Sequence, residues 1–244
     1  MIKLHAFGPA FGLPDPSPYI TKTEVQLRMA GLDYEKVSGD LEKTPKHKLP
    51  IIEDDGQIVA DSTFIRSHLE RTRGFDLDEG LNMRDRSHAW AIERMLEDHF
   101  CWAVVHDRWL DDDNFRRGPS LFFQGVPEHM RDAIIKDARG RVAASMYGHG
   151  IGRHNTAERL ELAGRSLSAL AVQLDDRPFV MGERPTAVDA FAFAILAGAT
   201  VPLFDTPLRQ MVEAHGNLTP YIQRMAARYY PDHVWWWDSA VVAA

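Results

Sequence analysis

The chain is predicted to fold as a small α/β domain followed by an all-helical domain. Short strand candidates separated by helix signals occupy the first third of the sequence and then stop. From about Ala89 onward, apolar residues recur at helical spacing and no strand pattern appears. The stretch Lys48–Ile65, KLPIIEDDGQIVADSTFI, compresses the logic of the first domain into one run: proline-started strand, turn, strand, capped helix.

Taken in order, Ile2–Phe7 reads as a first strand and Gly8–Pro16 as a loop rich in glycine and proline. Ser17-Pro18 opens a helix, with Ser as N-cap and Pro at the first helical position, and Gly31 stops it. Val25, Leu27, Met29 and Ala30 supply its apolar surface. Tyr34–Ser38 is a weak second strand, and Leu41–His47 an irregular or short helical connector. Leu49–Ile52 and Gln57–Ala60 form a hairpin about the Asp54-Asp55-Gly56 turn, since Asp tolerates the left-handed region and Gly occupies it freely. Asp61-Ser62 then starts a third helix that ends before Gly74.

The βαβ-then-ββα order is a thioredoxin-like arrangement over residues 1–74, with 75–82 as a linker and 83–244 as the helical domain. In the second domain one long helix is expected across Ala89–Leu110, then a break at Pro119–Pro127. Further helices are expected at about Pro127–Tyr147 and Thr156–Leu174, from Thr186, and at Leu208–His215 and Leu218–Arg228. Gly148–His154 is a glycine-rich turn. Thr186-Ala-Val-Asp189 is a capping box ahead of the apolar run Ala190–Leu196, so Asp189 is read as structural.

Composition bounds the function. The 244 residues are 45% hydrophobic and 26% charged, which is globular. A net charge of −7 argues against a nucleic-acid surface. No apolar run is long enough for a spanning helix, and the first residues are too short and polar for a signal peptide. The single Cys101 allows no intrachain disulfide and suits the cytosol; mid-helix, it is expected to be buried and inert. The histidines form no metal-binding signature, and no metal is expected.

A strand opened by proline, a hairpin and an acid-Ser pair at a helix start resemble the glutathione-binding half of the glutathione transferase superfamily. Four further stretches, SPYITKTEVQLRMAG, GHGIGRHN, RPFVMGERPTAVDAFAF and FDTPLRQMVEAHGNLTPYIQRM, resemble its branch of failed-axon-connections proteins and metaxins. The resemblance implies a cis Leu49–Pro50 bond and pairing of Leu49 with the cysteinyl backbone of glutathione. It places the γ-glutamyl group at Asp61 and Ser62, where Asp replaces the commoner Glu. A helix N-terminus suits that carboxylate.

Ser17 is the candidate catalytic residue: its hydroxyl would donate to the glutathione sulfur and favour the thiolate. A plain N-cap is the competing role for that hydroxyl. Tyr19 is a second candidate. Lys48, with Lys46 and His47 behind it, is a candidate partner for the glycyl carboxylate. Arg153 and His154 suit capping or salt bridges, and Trp235–Trp237 suit packing of the tail. Trp102, His106 and Trp109 on the long helix are candidates for a second-substrate pocket. The function implied is a glutathione transferase acting on a small electrophile, with a homodimer as the expected assembly. A non-catalytic interaction or ligand-binding protein of the same fold is the alternative. A thiol–disulfide oxidoreductase ranks below both, because Ser17–Thr21 contains no cysteine.

Overall fold

The computed structural model describes residues 1–238. A four-stranded sheet carries the strands β1 (Ile2–Ala6), β2 (Tyr34–Ser38), β3 (Ile51–Asp54) and β4 (Gln57–Ala60) in the order β2-β1-β3-β4. β1 runs parallel to β2, with Ile2 opposite Tyr34, and antiparallel to β3, with His5 opposite Ile51. The β3–β4 hairpin turns at Asp55 (φ 49°) and Gly56 (φ 80°), the two left-handed residues that match sheet twist. Because His5 faces Ile51, the end of β1 and the start of β3 meet at one end of the sheet.

The first helix, α1 (Pro18–Met29), is the shared wall of two hydrophobic cores. Ile20 and Leu27 pack into the core beneath the sheet, whereas Val25 belongs to the core of the helical domain. Every residue from Ile20 to Leu27 is therefore buried, including Lys22, Glu24 and Gln26. The Lys22 charge is matched across the interface, and that of Glu24 within the first domain with one hydroxyl from the second. Lys22 Nζ donates to Glu93 at 2.9 Å and Glu97 at 2.7 Å. Glu24 accepts from Lys36 (2.9 Å), Tyr34 (2.7 Å) and Tyr230 (3.0 Å).

Helix α2 (Ser62–Arg73) closes on Gly74, which takes the left-handed cap at φ 71°. Asp78 follows and holds both halves: one oxygen pairs with Arg66 at 2.7 Å and the other accepts the amide of Ala187 at 3.1 Å. The long helix then runs as α3 (Met83–Met95), one wide π turn at Leu96–Phe100, and α4 (Cys101–Trp109). The sequence predicts one uninterrupted helix there. The extra residue of a π turn rotates the following face and often marks a functional region.

A short helix, α5 (Asp112–Arg117), precedes the expected break, which is itself a 3₁₀ turn at Pro119–Phe123. Helices α6 (Glu128–His149), α7 (Thr156–Leu174), α8 (Ala187–Ala199), α9 (Pro207–Ala214) and α10 (Leu218–Tyr229) complete the second domain. All thirteen residues of α8 are buried, so it is the axis of that core. Asp189 fixes its start, accepting Thr186 N–H at 2.8 Å, Val180 N–H at 2.9 Å and the Tyr221 hydroxyl at 3.0 Å. Among the described residues, no helix is long and apolar enough to cross a membrane.

Candidate active site

Ser17 occupies the N-cap position of α1 with an extended backbone (φ −90°, ψ 119°), but its side chain makes no capping hydrogen bond. Pro18 at the first helical position has no N–H to be satisfied. The half-buried hydroxyl is thus left for other work at a helix N-terminus, where partial positive charge favours an anion. The backbone of Ser17 is held instead: Asp15 Oδ1 accepts its N–H at 2.9 Å, and Asp15 Oδ2 accepts those of Phe7 and Gly8 at 3.0 Å each. Burial pushes the Asp15 carboxyl up to about 6 against the opposing pull of those backbone hydrogen bonds and of Lys36.

The Leu49–Pro50 peptide is cis. β3 begins at Ile51, so Leu49 lies outside the ladder. The Thr44 hydroxyl accepts the Lys48 N–H at 3.0 Å and fixes the loop before it. Gly39 has the Leu49 side chain against it: a Cβ there would lie 2.4 Å from Leu49 Cδ1, so a larger residue would have to displace that side chain.

Asp61 donates its N–H to the Pro50 carbonyl at 3.2 Å, which joins the start of α2 to the proline. Asp61 has φ 87°, a costly conformation for a residue with a Cβ, and one that persists only where its surroundings impose it. Its carboxylate caps α2 through Thr63 N–H at 3.0 Å. Ser62 beside it is buried. Asp61 and Ser62 therefore bring a carboxylate, a hydroxyl and the free amides of a helix start to one place.

The Lys48 side chain is exposed. Lys46, not Lys48, leans toward α2: its ammonium approaches the Ala60 carbonyl at 3.5 Å and sits 4.7 Å from the centre of the Phe64 ring. Tyr19 turns inward, its hydroxyl donating to the Glu97 carbonyl at 3.3 Å, and burial raises its pKa well above the usual phenol range. Cys101 is buried, and desolvation pushes its thiol up to about 12, so it carries no thiolate at neutral pH.

The other candidates make the following contacts. Arg153 donates to the Tyr147 carbonyl at 3.1 Å, finishing α6, and His154 lies 3.4 Å from Glu158. Trp235 is buried against Phe193 and Tyr230, with Trp237 stacked on it at 4.7 Å. A cavity of about 460 Å³ between α10 and this tail is lined by none of the site residues. On the long helix, Trp102 packs on His149 (5.0 Å), Trp109 packs on Phe115 (6.0 Å), and His106 sits 3.4 Å from Asp107. The sequence reading omits Asp15 and Arg108. Arg108 is buried, donates to the carbonyls of Pro16 (3.2 Å) and Gly198 (2.7 Å), and is lowered to about 10 by burial. An Asp two residues before an N-cap is a legible turn signal, whereas nothing local marks an arginine that acts across ninety residues.

Two family models match, a glutathione S-transferase N-terminal domain over residues 18–114 and a C-terminal domain over 163–225. The chain is 30% identical to an isoprene-epoxide glutathione S-transferase of Rhodococcus sp. (strain AD45), covering 94% of this chain and 99% of that one. It is 33% identical to failed axon connections of Drosophila melanogaster over 98% of this chain, but spans only 59% of that relative. Metaxin-1 of Homo sapiens is 23% identical over 99% of this chain and 53% of its own. Among solved structures, beta-etherase LigF of Sphingobium sp. strain SYK-6 superposes with a TM-score of 0.65 at 20% identity, covering 93% of this chain and 95% of that one, which shows the shared fold.

Proposed function

Because the chain belongs to the glutathione transferase superfamily, in the branch that includes failed axon connections and the metaxins, we propose that it binds glutathione and promotes attack of its thiolate on a small electrophile. The observation that carries this reading is the Ser17 hydroxyl, positioned at a helix N-terminus yet not used to cap it. In the proposed pose the cysteinyl backbone pairs with Leu49, outside the ladder and next to Pro50. The γ-glutamyl amino group meets the Asp61 carboxylate, and its carboxylate meets the Ser62 hydroxyl and the amides opening α2. The glycyl carboxylate is met by Lys48 or, nearer to α2, Lys46. Ser17 donates to the sulfur and holds it as thiolate.

The acceptor class follows from the relative whose name specifies an isoprene epoxide. Thiolate opens an epoxide by forming a C–S bond and breaking a C–O bond, and the alkoxide then takes a proton from water. The division into 1–74 and 83–244, the cytosolic setting and the homodimer belong to the same reading. Ile58, Phe64, Met83 and Trp90 are exposed on β4, α2 and α3, a supply of apolar surface suited to a partner.

That same surface favours the second reading, an interaction or ligand-binding protein of this fold. Calorimetric titration with glutathione followed by turnover with small epoxides separates the two. Binding with conjugation supports the transferase, binding without conjugation supports the second reading, and no binding rejects the site.

A further inference from the structure

Ser17 is held through its backbone on both sides. Upstream, the Pro16–Ser17 peptide is one rigid plane. Asp15 Oδ1 accepts its N–H at 2.9 Å, and Arg108 donates to its carbonyl, that of Pro16, at 3.2 Å. Downstream, the Ser17 carbonyl accepts the Thr21 N–H at 3.1 Å, the first bond of α1. Pro18 adds its own limit, because a residue before proline is pressed into the extended region, where Ser17 lies (φ −90°, ψ 119°). The hydroxyl is left to choose among staggered χ1 rotamers on a fixed Cα.

Of these holds, Asp15 and Thr21 belong to the same short segment as Ser17. Arg108 comes from α4, so its hold exists only while the helical domain is docked on α1.

Arg108 is an unusual buried arginine. Among the described residues no carboxylate pairs with it. A buried cation without a counter-charge is destabilising unless something else in the structure needs it. Its guanidinium donates to two main-chain carbonyls, Pro16 and Gly198, and lies 5.0 Å from the centre of the Phe204 ring. Gly198 is in the last turn of α8, where carbonyls lack a partner within the helix. The fit is close, since a Cβ at Gly198 would lie 3.1 Å from Arg108 Nη2. A neutral donor could cap α8 alone. A rigid fork that holds that cap and the Pro16 carbonyl together is what arginine adds.

We propose that Arg108 is a positioning residue for Ser17: it fixes the Pro16–Ser17 peptide from the helical domain and thereby aims the Ser17 hydroxyl at the glutathione sulfur. The proposal rests on the glutathione reading above. In this role Arg108 needs no contact with the sulfur and acts through the serine alone.

The test is thiolate absorbance against pH in the glutathione complexes of wild type, Arg108→Met, Ser17→Ala and the double variant, with urea denaturation alongside to establish that each is folded. Arg108→Met is expected to raise the sulfur pKa by about one pH unit, a tenfold loss of thiolate on the acid side. The glutathione Kd at about pH 6, where the bound sulfur is mostly thiol in every variant, should stay within about twofold. In the Ser17→Ala background the same substitution should move the sulfur pKa no further. If Arg108→Met does not fold, Arg108→Lys, which keeps the charge but not the fork, carries the same expectations. A sulfur pKa unmoved in a folded Arg108 variant makes the residue a cap for α8 and overturns the proposal. A shift of equal size with and without the Ser17 hydroxyl makes the charge act on the sulfur directly and overturns it as well. Absence of glutathione binding, or a wild-type complex whose thiol titrates as in free solution, rejects the transferase reading itself and this proposal with it.

Discussion

Asp15 grips Ser17 by its backbone, not by its hydroxyl: Oδ1 accepts the Ser17 N–H at 2.9 Å while Oδ2 gathers those of Phe7 and Gly8. One buried carboxylate thereby joins the end of β1 to the start of α1 and leaves the Ser17 side chain uncommitted. An amide at this position could accept on one side only and would turn N–H toward N–H on the other. Asp15→Asn is expected to cost about 1–3 kcal/mol, the scale of an unsatisfied buried donor, read by urea denaturation at pH 7.

The same carboxyl predicts a pH dependence. Burial raises Asp15 from 3.8 to about 6, and Asp189 likewise. Between about pH 4 and 6 the folded protein holds these protons while the unfolded chain has released them. Their contribution to stability therefore falls as pH rises through that window, by at most about 1.4 kcal/mol per pH unit for each group. Glu24 is shifted the other way, so the clean measurement is a difference. The gap in unfolding free energy between wild type and Asp189→Asn should change across pH 4–6 and stay flat above it. A gap that stays constant from pH 4 to 7 would contradict the assignment.

Lys22 is the charge that the domain interface depends on. It is fully buried, and its two carboxylate partners are nearly so. Lys22→Met should leave Glu93 and Glu97 with too little compensation and cost about 3–5 kcal/mol. Lys22→Met combined with Glu97→Gln should recover part of that loss in chemical denaturation. Additive losses would show that the pair is not coupled.

The order of elements along the chain, the hairpin turn, the helix starts at Ser17, Asp61 and Thr186 and most helix limits were legible because each rests on a local signal. Asp111 with Arg116-Arg117 and Gly118 marks α5 equally well, and the reading passed over it. What was not legible acts at a distance. The π turn at Leu96–Phe100 carries no local signal in the sequence, where the apolar spacing continues as in a regular helix. The burial of Lys22 and Glu24 follows from α1 serving two cores, which periodicity along one helix does not reveal. At the site, Asp61, Ser62 and Pro50 could be read from one stretch and Asp15 carries a local turn signal, whereas Arg108 required the fold. Nearness in sequence to Pro50 favours Lys48 over Lys46, but in the fold it is Lys46 that leans toward α2.

Ser62 tests the proposed γ-glutamyl clamp. Its hydroxyl is buried at the opening of α2, where a carboxylate would meet both it and the helix amides. Ser62→Ala should weaken glutathione binding by about 1–2 kcal/mol, a loss in the range for a hydrogen bond to a charged group. An unchanged Kd with an unchanged melting temperature would place the γ-glutamyl group elsewhere.

The proposed transferase depends on thiolate. A free thiol near pKa 8.5 is only a few per cent ionised at pH 7. The uncommitted Ser17 hydroxyl, together with the α1 N-terminus, is the feature suited to change that. The direct measurement is thiolate absorbance against pH in the glutathione complex of wild type and Ser17→Ala. The expected result is a sulfur pKa of about 7 or below in wild type, raised by about one unit or more in Ser17→Ala, with little change in glutathione affinity. A wild-type complex whose thiol titrates as it does in free solution would contradict the transferase reading and leave a protein that binds glutathione without activating it.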